Sequence, residues 1–538
     1  MTEQTFVLIV GGGPVGLTAA LDLGRRNVPA ILITRNLEPP NYPKCNSAHA
    51  RTMEHFRRLG IADELRQFGL PADFPREIAY RTRFCGYEFG RSVVPHARMP
   101  ADSYPGPERP HVVSQRFLEP VLKRHAERQA SVSVRFGQRL IDWQFGGEAV
   151  VATVEDVQSG TRRTIEAQFM LAADGARSSV RRSLDIDMRG QDGTAERNFM
   201  SGTLMAYFIR APGLLAKAGK HPAIMTWIIN QDVRGWFYAQ DRDQQWVIHY
   251  QTPRGTDWQG LDHAGIVRAM IGAEVDYELQ AHGPWTGGLA LIAESFSRGP
   301  VFIAGDAAHL FTPLGGFGMN TGIGDALNLT WKFAGVHEGW AARSILDSYD
   351  KERRPVALRN TQLGIRCAEL KSRWIIPTAI EAEGAEADGI RVAFGERCLQ
   401  DDAVEYETLG LQLGERYEHS PIVCTDAVTA PEDRWDDYVP LDHPGARAPH
   451  FRLPNGEPAY DAFGAGFALL DFRSDTQPST LVAAAQLRGV PLRAVSGSAP
   501  AHYRTRLVLV RPDQHIAWHG DADPPDPLAV IDRVRGAP

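Results

Sequence analysis

A glycine-rich segment near the start of the chain constrains its fold more than any other stretch. Residues 6–34 are FVLIVGGGPVGLTAALDLGRRNVPAILIT: an apolar run, three glycines in GxGxxG spacing, an alanine- and leucine-rich stretch and a second apolar run. This order predicts a strand, a tight turn, a helix of about four turns and a further strand. We therefore expect an α/β protein with a Rossmann-like βαβ unit at its start.

The three glycines have separate tasks in a dinucleotide-binding loop. Gly11 permits the tight turn, Gly13 lets the backbone approach a pyrophosphate, and Gly16 lets the helix pack on the strand. The N-terminus of the helix offers phosphates unpaired N–H groups and the positive end of its dipole. A glycine-rich turn without a ligand is the alternative, but the flanking elements favour dinucleotide binding.

The second apolar run lacks the acidic residue that usually ends it. An Asp or Glu there holds a ribose hydroxyl, whereas this chain has Thr34 followed by Arg35. The threonine can still hydrogen-bond, and the arginine can lie against adenine or reach a phosphate. We expect the nucleotide end of the cofactor to be held less conventionally.

Two later apolar strands each end in an acidic residue beside a glycine. Residues 168–182 are QFMLAADGARSSVRR, and residues 305–332, after another apolar run, are GDAAHLFTPLGGFGMNTGIGDALNLTWK. Either pair alone is as consistent with an ordinary turn as with a site. Their joint occurrence after GxGxxG favours one ligand site assembled from three strand ends.

In this order the motifs resemble the single-component flavoprotein aromatic hydroxylases, the group typified by para-hydroxybenzoate hydroxylase. The phenol hydroxylase and chlorophenol monooxygenase branch is most similar, and residues 50–60 (ARTMEHFRRLG) and 114–126 (SQRFLEPVLKRHA) also match it. The resemblance implies a Rossmann-like FAD-binding domain interleaved with a mixed-sheet substrate domain. It also implies an FAD-dependent monooxygenase that hydroxylates a phenolic ring through a flavin C4a-hydroperoxide, using O2 and NADPH or NADH.

The resemblance assigns contacts to FAD by position. Lys44 stands where the family usually has an arginine, so that phosphate contact would be a point charge instead of a planar fork. The second motif is linked in the family to both FAD and the nicotinamide donor, which we expect to bind transiently because no second GxGxxG is present. The expected FAD contacts are Gly11, Gly13, Pro14, Val15, Gly16, Thr34, Arg35, Lys44, Arg51, Gln115, Leu140, Asp174, Gly175, Asp306, Pro313, Gly316, Gly318, Met319 and Asn320.

The third motif suits the ring of a flavin. Asp306 can accept a hydrogen bond from a ribityl hydroxyl, and Pro313 fixes φ without presenting an N–H. Met319 and Asn320 are expected to begin a helix whose dipole places about half a positive charge at its start. This charge would stabilise the anionic reduced flavin, whereas His309 is expected to be structural.

The segment between the second and third motifs is rich in β-branched and aromatic residues and predicts a sheet over the flavin. An apolar pocket would suit an aromatic ring and exclude water. No carboxylate-binding arginine is evident, which favours a neutral phenol over a benzoate. The residues expected to line the pocket are Met205, Tyr207, Trp227, Trp236, Tyr238, His249 and Tyr250.

Hydroxylation is faster on a phenolate than on a phenol, so a base or hydrogen-bond acceptor is expected near the ring hydroxyl. In the phenol hydroxylase branch an Asp can occupy the position that Asn46 holds here, and asparagine cannot act as a base. His249, Tyr238 and Tyr207 are therefore the catalytic candidates, with His49 as a further one.

The C-terminal third shows a strand–helix–strand–strand–strand–helix pattern. It resembles the thioredoxin-like domain of longer family members, but it has no CxxC, so we expect packing or homodimer formation there instead of redox activity. Pro512 and Asp513 are expected to form a hairpin turn without chemistry. The predicted domains are 1–185 (FAD-binding, with 75–112 contributing to the substrate sheet), 186–290 (substrate sheet), 291–371 (second part of the FAD-binding domain), 372–450 (linker and surface elements) and 451–538 (thioredoxin-like).

Composition excludes several other classes of protein. The net charge is −7 with no basic block, which argues against nucleic acid. No apolar run is long enough for a membrane span, and residues 6–16 leave no room for a secretory signal. Five scattered cysteines predict free thiols and a cytoplasmic location, and no motif predicts a metal site.

Two alternatives to ring hydroxylation stay open from the sequence. A Baeyer–Villiger or epoxidising flavin monooxygenase that tailors a polyketide would share the motifs. A flavin-binding protein without turnover is less favoured because the motifs are intact apart from Thr34 and Lys44.

Overall fold

The largest sheet contains all three motif-bearing strands. The computed structural model describes residues 2–40, 46–94, 97–147, 149–190, 204–252, 256–285, 289–425, 430–473 and 477–537. The strands of this sheet are β1 (Thr2–Val10), β2 (Ala30–Thr34), β5 (Val132–Phe136), β6 (Gln138–Gly146), β7 (Ala149–Asp156), β8 (Arg162–Ala172), β16 (Ser297–Arg298) and β17 (Val301–Ile303).

The strand order is β16-β17-β8-β1-β2-β5, and β7 pairs with both β8 and β6. From β17 to β5 each neighbouring pair in this order is parallel. The residues from Phe6 to Val10 and the whole of β2 are buried, as expected for parallel strands covered on both faces. The predicted Rossmann-like unit is confirmed.

Helices cover this sheet and connect its strands. Pro14 occupies the first turn of the first helix, where its missing N–H costs nothing. The helices in the first three quarters of the chain are α1 (Pro14–Arg25), α2 (Ala50–Arg58), α3 (Ala62–Leu65), α4 (Gln115–Glu127), α5 (Ser179–Ser183), α6 (Leu214–Ala218), α7 (His263–Ile271), α8 (Phe317–His337), α9 (Ser348–Ser372), α10 (Ala385–Tyr406) and α11 (Leu409–Leu413).

A second sheet carries the aromatic-rich segment. Its order is β14-β10-β13-β12-β11-β3-β4, so residues 77–93 join strands that follow them by more than a hundred positions. Its strands are β3 (Glu77–Arg81), β4 (Glu88–Val93), β10 (Leu204–Arg210), β11 (Met225–Ile229), β12 (Arg234–Ala239), β13 (Gln245–Gln251) and β14 (Glu278–Trp285). A third, small sheet contains β9 (Met188–Arg189), β15 (Leu291–Ala293) and β18 (His309–Leu310). Along the chain, β9 precedes β10, and β15 and β18 follow β14.

The segment 372–450 differs from the expected linker. It contains α10, a 22-residue helix, and Phe394 and Cys398 of this helix belong to the hydrophobic core of the second sheet. Gly395 lies so close to β4 that a Cβ on it would be 1.7 Å from the carbonyl oxygen of Phe89. This part of the segment is therefore a packed core element.

The C-terminal region forms a separate four-stranded sheet with the expected thioredoxin-like order. Its sequence of strands is β20-β19-β21-β22, with β19 and β20 parallel and the other neighbours antiparallel. Its elements are α12 (Ala459–Phe463), β19 (Phe467–Asp471), α13 (Thr480–Leu487), β20 (Leu492–Ser496), β21 (Leu507–Val510), β22 (Ile516–Gly520) and α14 (Pro527–Val534).

The turn between β21 and β22 is buried in the FAD-binding part of the molecule. Arg511 donates to the carboxylate of Glu352 on α9 at 2.6 and 2.9 Å and to Asp513 at 2.6 Å. Asp513 also accepts from the indole N–H of Trp331 on α8 at 3.2 Å. This hairpin turn thus joins the C-terminal domain to α8 and α9.

Replacing Arg511 by alanine should strongly destabilise the protein. The change leaves Glu352 and Asp513 buried without their shared guanidinium, and removing one partner of a buried ion pair costs about 3–5 kcal/mol. The midpoint of urea unfolding, followed by tryptophan fluorescence, measures this loss.

Arg488→Ala is the matched control. Arg488 pairs with Asp532 at the surface, at 2.7 Å, and such pairs contribute little to stability. Equal unfolding midpoints for the two variants would contradict the role given to Arg511.

Candidate active site

The three motif-bearing strand ends are hydrogen-bonded to one another. The N–H of Ala173, after β8, donates to Val10 of β1 at 2.8 Å, and that of Ala304, after β17, donates to Ala172 at 2.9 Å. Because the strands are parallel, GxGxxG, Asp174–Gly175 and Gly305–Asp306 leave the sheet at one edge. The structure thus brings together the three segments that the sequence analysis assigned to one site.

The glycines of the first loop divide into packed and open positions. A Cβ on Gly11, whose φ is +120°, would lie 2.1 Å from the carbonyl oxygen of Ala173, and a Cβ on Gly16 would lie 2.0 Å from the carbonyl oxygen of Gly11. A Cβ on Gly13 would meet no atom within 4 Å. Gly11 and Gly16 therefore serve the fold, and Gly13 faces the open space at the start of α1 that a pyrophosphate requires.

A buried charge cluster supports the third motif. Asp325, on α8, accepts from the N–H of Gly305 at 3.2 Å, contacts Nε2 of His309 at 2.6 Å and accepts from Nε of Arg353 at 2.8 Å. Burial raises the pKa of Asp325, but the charges and hydrogen bonds of His309 and Arg353 outweigh it and hold that pKa below its usual value. The side chain of His309 is thus engaged by Asp325 behind the strand end.

The bend between β18 and α8 is built on two glycines with positive φ, Gly315 at +75° and Gly316 at +67°. A Cβ on Gly318 would lie 3.9 Å from Oδ1 of Asp306, so the carboxylate stands beside the first turn of the helix. The helix begins at Phe317, two residues before its expected start. Pro313 precedes the bend, and Met319 is partly buried in the first turn.

The side chain of Asn320 is used to hold α2 against this bend. Its Oδ1 accepts from the N–H of His49 at 2.8 Å and from Oγ1 of Thr52 at 2.6 Å, and its Nδ2 donates to Ser47 and Gly316. Because the side chain of Asn320 has these partners, we expect its main chain, at the start of α8, to contact the flavin ring.

Arg51 and Gln115 are buried and have protein partners. Arg51 donates to Gln514 and to the carbonyl of Asp513, both at 2.6 Å, and Gln115 donates to Glu119. These two contacts of Arg51 come from the C-terminal hairpin turn, which the sequence analysis expected to carry no chemistry, and Arg51 also donates to Glu54 of its own helix at 2.9 Å. That turn positions a residue expected to contact FAD.

The second motif is linked to the third by a residue that the sequence analysis did not single out. Arg181 donates to the carbonyl of Ala307 at 3.1 Å. Asp174 accepts from the N–H of Ser179 at 2.8 Å, and Gly175 has a φ of +84°. The sequence signal for this link was an arginine in the basic helix start of DGARSSVRR, and the structure shows that this arginine is buried.

Three further residues expected to contact FAD lie at the end of β2 and on β6. Thr34 ends β2 and is buried, Arg35 is exposed, and Leu140 of β6 is partly buried. Lys44 lies outside the described residues.

The second sheet separates the catalytic candidates onto two faces. Met225 pairs with Tyr238, and Trp227 with Trp236, which in turn pairs with His249, so these side chains share one face.

Tyr207 pairs with Ile248 and points to the opposite face, where its hydroxyl lies 3.2 Å from Nδ1 of His263 on α7. Burial raises its pKa further above neutrality. Met205 and Tyr250, which pair with each other, share this face. These three expected pocket residues therefore lie away from the others, because side chains alternate along a strand.

The face that carries Tyr238 and His249 packs against α9 and the end of α10, since Nζ of Lys371 lies 5.2 Å from the ring centre of Trp227 and the hydroxyl of Tyr406 donates to the sulfur of Met225. Ring centres of Trp227 and Trp236 lie 4.9 Å apart, and those of Trp236 and His249 lie 5.0 Å apart. Burial lowers the pKa of His249 to about 3, so its ring is neutral near pH 7 and a weak base. Arg116, next to Gln115, lies 4.5 Å above the ring of Phe208 on this face.

Comparison with known proteins agrees with this geometry. A family model described as an FAD binding domain matches residues 4–363, and one described as the C-terminal part of aromatic-ring hydroxylases matches residues 442–538. The chain belongs to the FAD-dependent aromatic-ring hydroxylases.

Individual members of this family resemble the chain over nearly its full length. The FAD-dependent monooxygenase apdD of Emericella nidulans is 31% identical over 96% of this chain and 87% of its own. The 4-methyl-5-nitrocatechol 5-monooxygenase of a Burkholderia species is 30% identical over 98% and 96%. The structure of chromopyrrolic acid-soaked RebC with bound 7-carboxy-K252c has a TM-score of 0.91 at 32% identity and 100% coverage of both chains.

This flavoprotein hydroxylase uses FAD, and NAD(P)H is the electron donor typical of its family. The open space at Gly13 and the glycine bend before α8 fit that cofactor. Across the described ranges, no helix is long and apolar enough to cross a membrane, and no group of three or more metal-binding side chains is present.

Substituting Gly13 and Gly11 by alanine should have different effects. In Gly13→Ala the methyl group meets no protein atom but fills the space beside α1, so we expect an unchanged melting temperature of the apoprotein and weaker FAD binding. In Gly11→Ala the methyl group meets a main-chain oxygen at 2.1 Å, so stability should fall as well. Fluorescence titration with FAD and thermal unfolding of the apoprotein measure both effects, and a destabilised Gly13→Ala apoprotein would contradict the assignment.

Proposed function

We propose that the chain inserts one atom of O2 into an aromatic, phenolic ring, with NADPH or NADH as a transiently bound donor. The observation that carries this proposal is the hydrogen-bonded junction of three strand ends beside the start of α8. A small aromatic substrate would bind against the face of the second sheet that carries Tyr238.

The residues proposed to hold FAD act mainly through the main chain. The loop from Gly11 to Gly16 and the start of α1 would receive the pyrophosphate, and Asp306 would accept from the ribityl chain. Pro313 and the first turn of α8 would border the ring, where the helix dipole favours negative charge. When bound, FAD supplies the redox chemistry that activates O2.

Among the catalytic candidates, Tyr238 has the best support. It is partly buried on the face that packs against α9 and the end of α10, whereas His249 is neutral at pH 7 and Tyr207 lies on the other face. The hydroxyl of a tyrosine can donate or accept a hydrogen bond, so it can bind the hydroxyl of a phenolic substrate. We propose that Tyr238 orients the ring hydroxyl of the substrate.

The Baeyer–Villiger or epoxidising alternative uses the same cofactor site. Product analysis with 18O2 distinguishes the reactions, since a ring hydroxyl, an ester oxygen and an epoxide differ in the position of the label. The homodimer and the cytoplasmic location expected from the sequence stay predictions, and sedimentation velocity tests the first.

Asp306→Ala should yield a folded protein that has lost most of its flavin. The variant removes the carboxylate next to the start of α8, which we propose accepts from the cofactor. The ratio of flavin absorbance to protein absorbance after purification measures retention. Asp521→Ala, at an exposed position, is the control. Full retention of flavin by Asp306→Ala would count against the site.

Tyr238→Phe and Tyr207→Phe form a matched pair for the substrate face. Each loses one hydroxyl from a strand of the second sheet, but only Tyr238 shares the face of Trp236. A panel of phenols, hydroxybenzoates and polycyclic aromatics should identify a substrate first. We then expect Tyr238→Phe to lower kcat/KM by about tenfold, the effect of one lost hydrogen bond in the transition state, with little change for Tyr207→Phe. Equal losses would contradict the assignment.

A further inference from the structure

A carboxylate on α10 contacts the glycine bend between β18 and α8. We propose that this bend, residues 313–317, borders the flavin ring, and we call it the flavin bend. Oε1 of Glu405 accepts from the N–H of Gly315 at 2.9 Å, across 90 positions of sequence. Glu405 lies in the last turn of α10, the helix in the segment expected to be a linker. Gly315 and Gly316 both have positive φ, so contacts from other segments help to select one of the conformations that glycine allows. Glu405 holds the N–H of Gly315, and Nε2 of His49 contacts its carbonyl oxygen at 2.9 Å.

Glu405 is itself anchored in a buried cluster. Its Oε2 lies 3.0 Å from Nζ of Lys371 on α9, which also contacts Asp402, and at most 5% of each side chain is exposed. Lys371 lies 5.2 Å from the ring centre of Trp227 and 5.0 Å from that of Trp374. The two rings border the ammonium group, and low exposure to water strengthens its attraction to the carboxylates.

The charge of the cluster is balanced when Asp402 holds a proton. Burial and the nearby Glu405 raise the pKa of Asp402 well above its usual value. The single positive charge of Lys371 is then matched by one carboxylate. This balance lowers the cost of keeping Glu405 buried beside Lys371.

The same cluster contacts the face that we propose binds the substrate. Tyr406, next to Glu405, donates to the sulfur of Met225 at 3.4 Å, and Met225 pairs with Tyr238. One helix end thus touches the flavin bend through Glu405 and the aromatic face through Tyr406.

We propose that Glu405, anchored by Lys371, is a positioning residue that fixes the glycine bend and so sets where the flavin ring lies relative to the substrate face. This inference rests on the proposed function, since it takes the bend to border the ring. Glu405 lies on α10, outside the three sequence motifs, so this helix would help to place the cofactor.

Glu405→Asp and Glu405→Gln separate the two contacts of this side chain. Aspartate keeps the charge opposite Lys371 but is one methylene too short to reach Gly315, and glutamine keeps the reach but loses the charge that anchors it. We expect both variants to bind FAD with a released ring. The fluorescence anisotropy of bound FAD should fall, and the product formed per NAD(P)H oxidised should drop by about fivefold, the factor for one buried hydrogen bond.

Glu407→Gln, an exposed position two residues further on, is the control and should match the wild type. If both Glu405 variants keep wild-type anisotropy and coupling, the inference is overturned, whatever their melting temperatures. A lower melting temperature with an unchanged flavin signal would likewise assign Glu405 to stability alone. Wild-type protein that binds no FAD, or forms no hydroxylated product, would instead refute the proposed function.

Discussion

The main-chain hydrogen bonds between the ends of β1, β8 and β17 are the constraint on which the site depends. They join Val10 to Ala173 and Ala172 to Ala304, although these pairs are separated by more than a hundred positions. The parallel arrangement brings three distant motifs to one edge of the sheet, and the residues of β1, β8 and β17 next to that edge are buried. A cofactor that spans this edge is held by the frame of the sheet.

Behind that edge the molecule uses buried charges, and the C-terminal domain supplies part of them. Asp325 and Arg353 support the third motif, and Arg511 with Glu352 joins the hairpin turn to the same helices. Such groups are costly to bury unless each has a partner. A hydrogen bond from Arg51 to Gln514 ties the thioredoxin-like domain to a residue that we expect to contact FAD.

The sequence predicted what depends on neighbours along the chain. GxGxxG, the acidic strand ends and the glycine bend are short patterns, and the resemblance that they carry supplied the fold and the cofactor. The two-face separation of Tyr207 and Tyr238 could not be predicted, because it depends on the register between strands. Asp402 and Glu405 are spaced to share one face of α10, but their partner Lys371 lies on another helix, and so the segment resembled a linker.

The features that short sequence patterns predict are mainly main-chain contacts, and the features that they do not predict are contacts between side chains. The cofactor edge is made mainly of main-chain groups and glycines, and its geometry follows from the pairing of β1, β8 and β17. The substrate face is made of side chains on β11, β12 and β13, and each can change without disturbing the strand ends. Glu405 and Arg116 lie where the two parts meet, since each belongs to a helix that contacts both. If the face of Tyr238 binds the substrate, as we propose, a change of substrate requires new side chains on that face and leaves the residues that join it to the glycine bend unchanged.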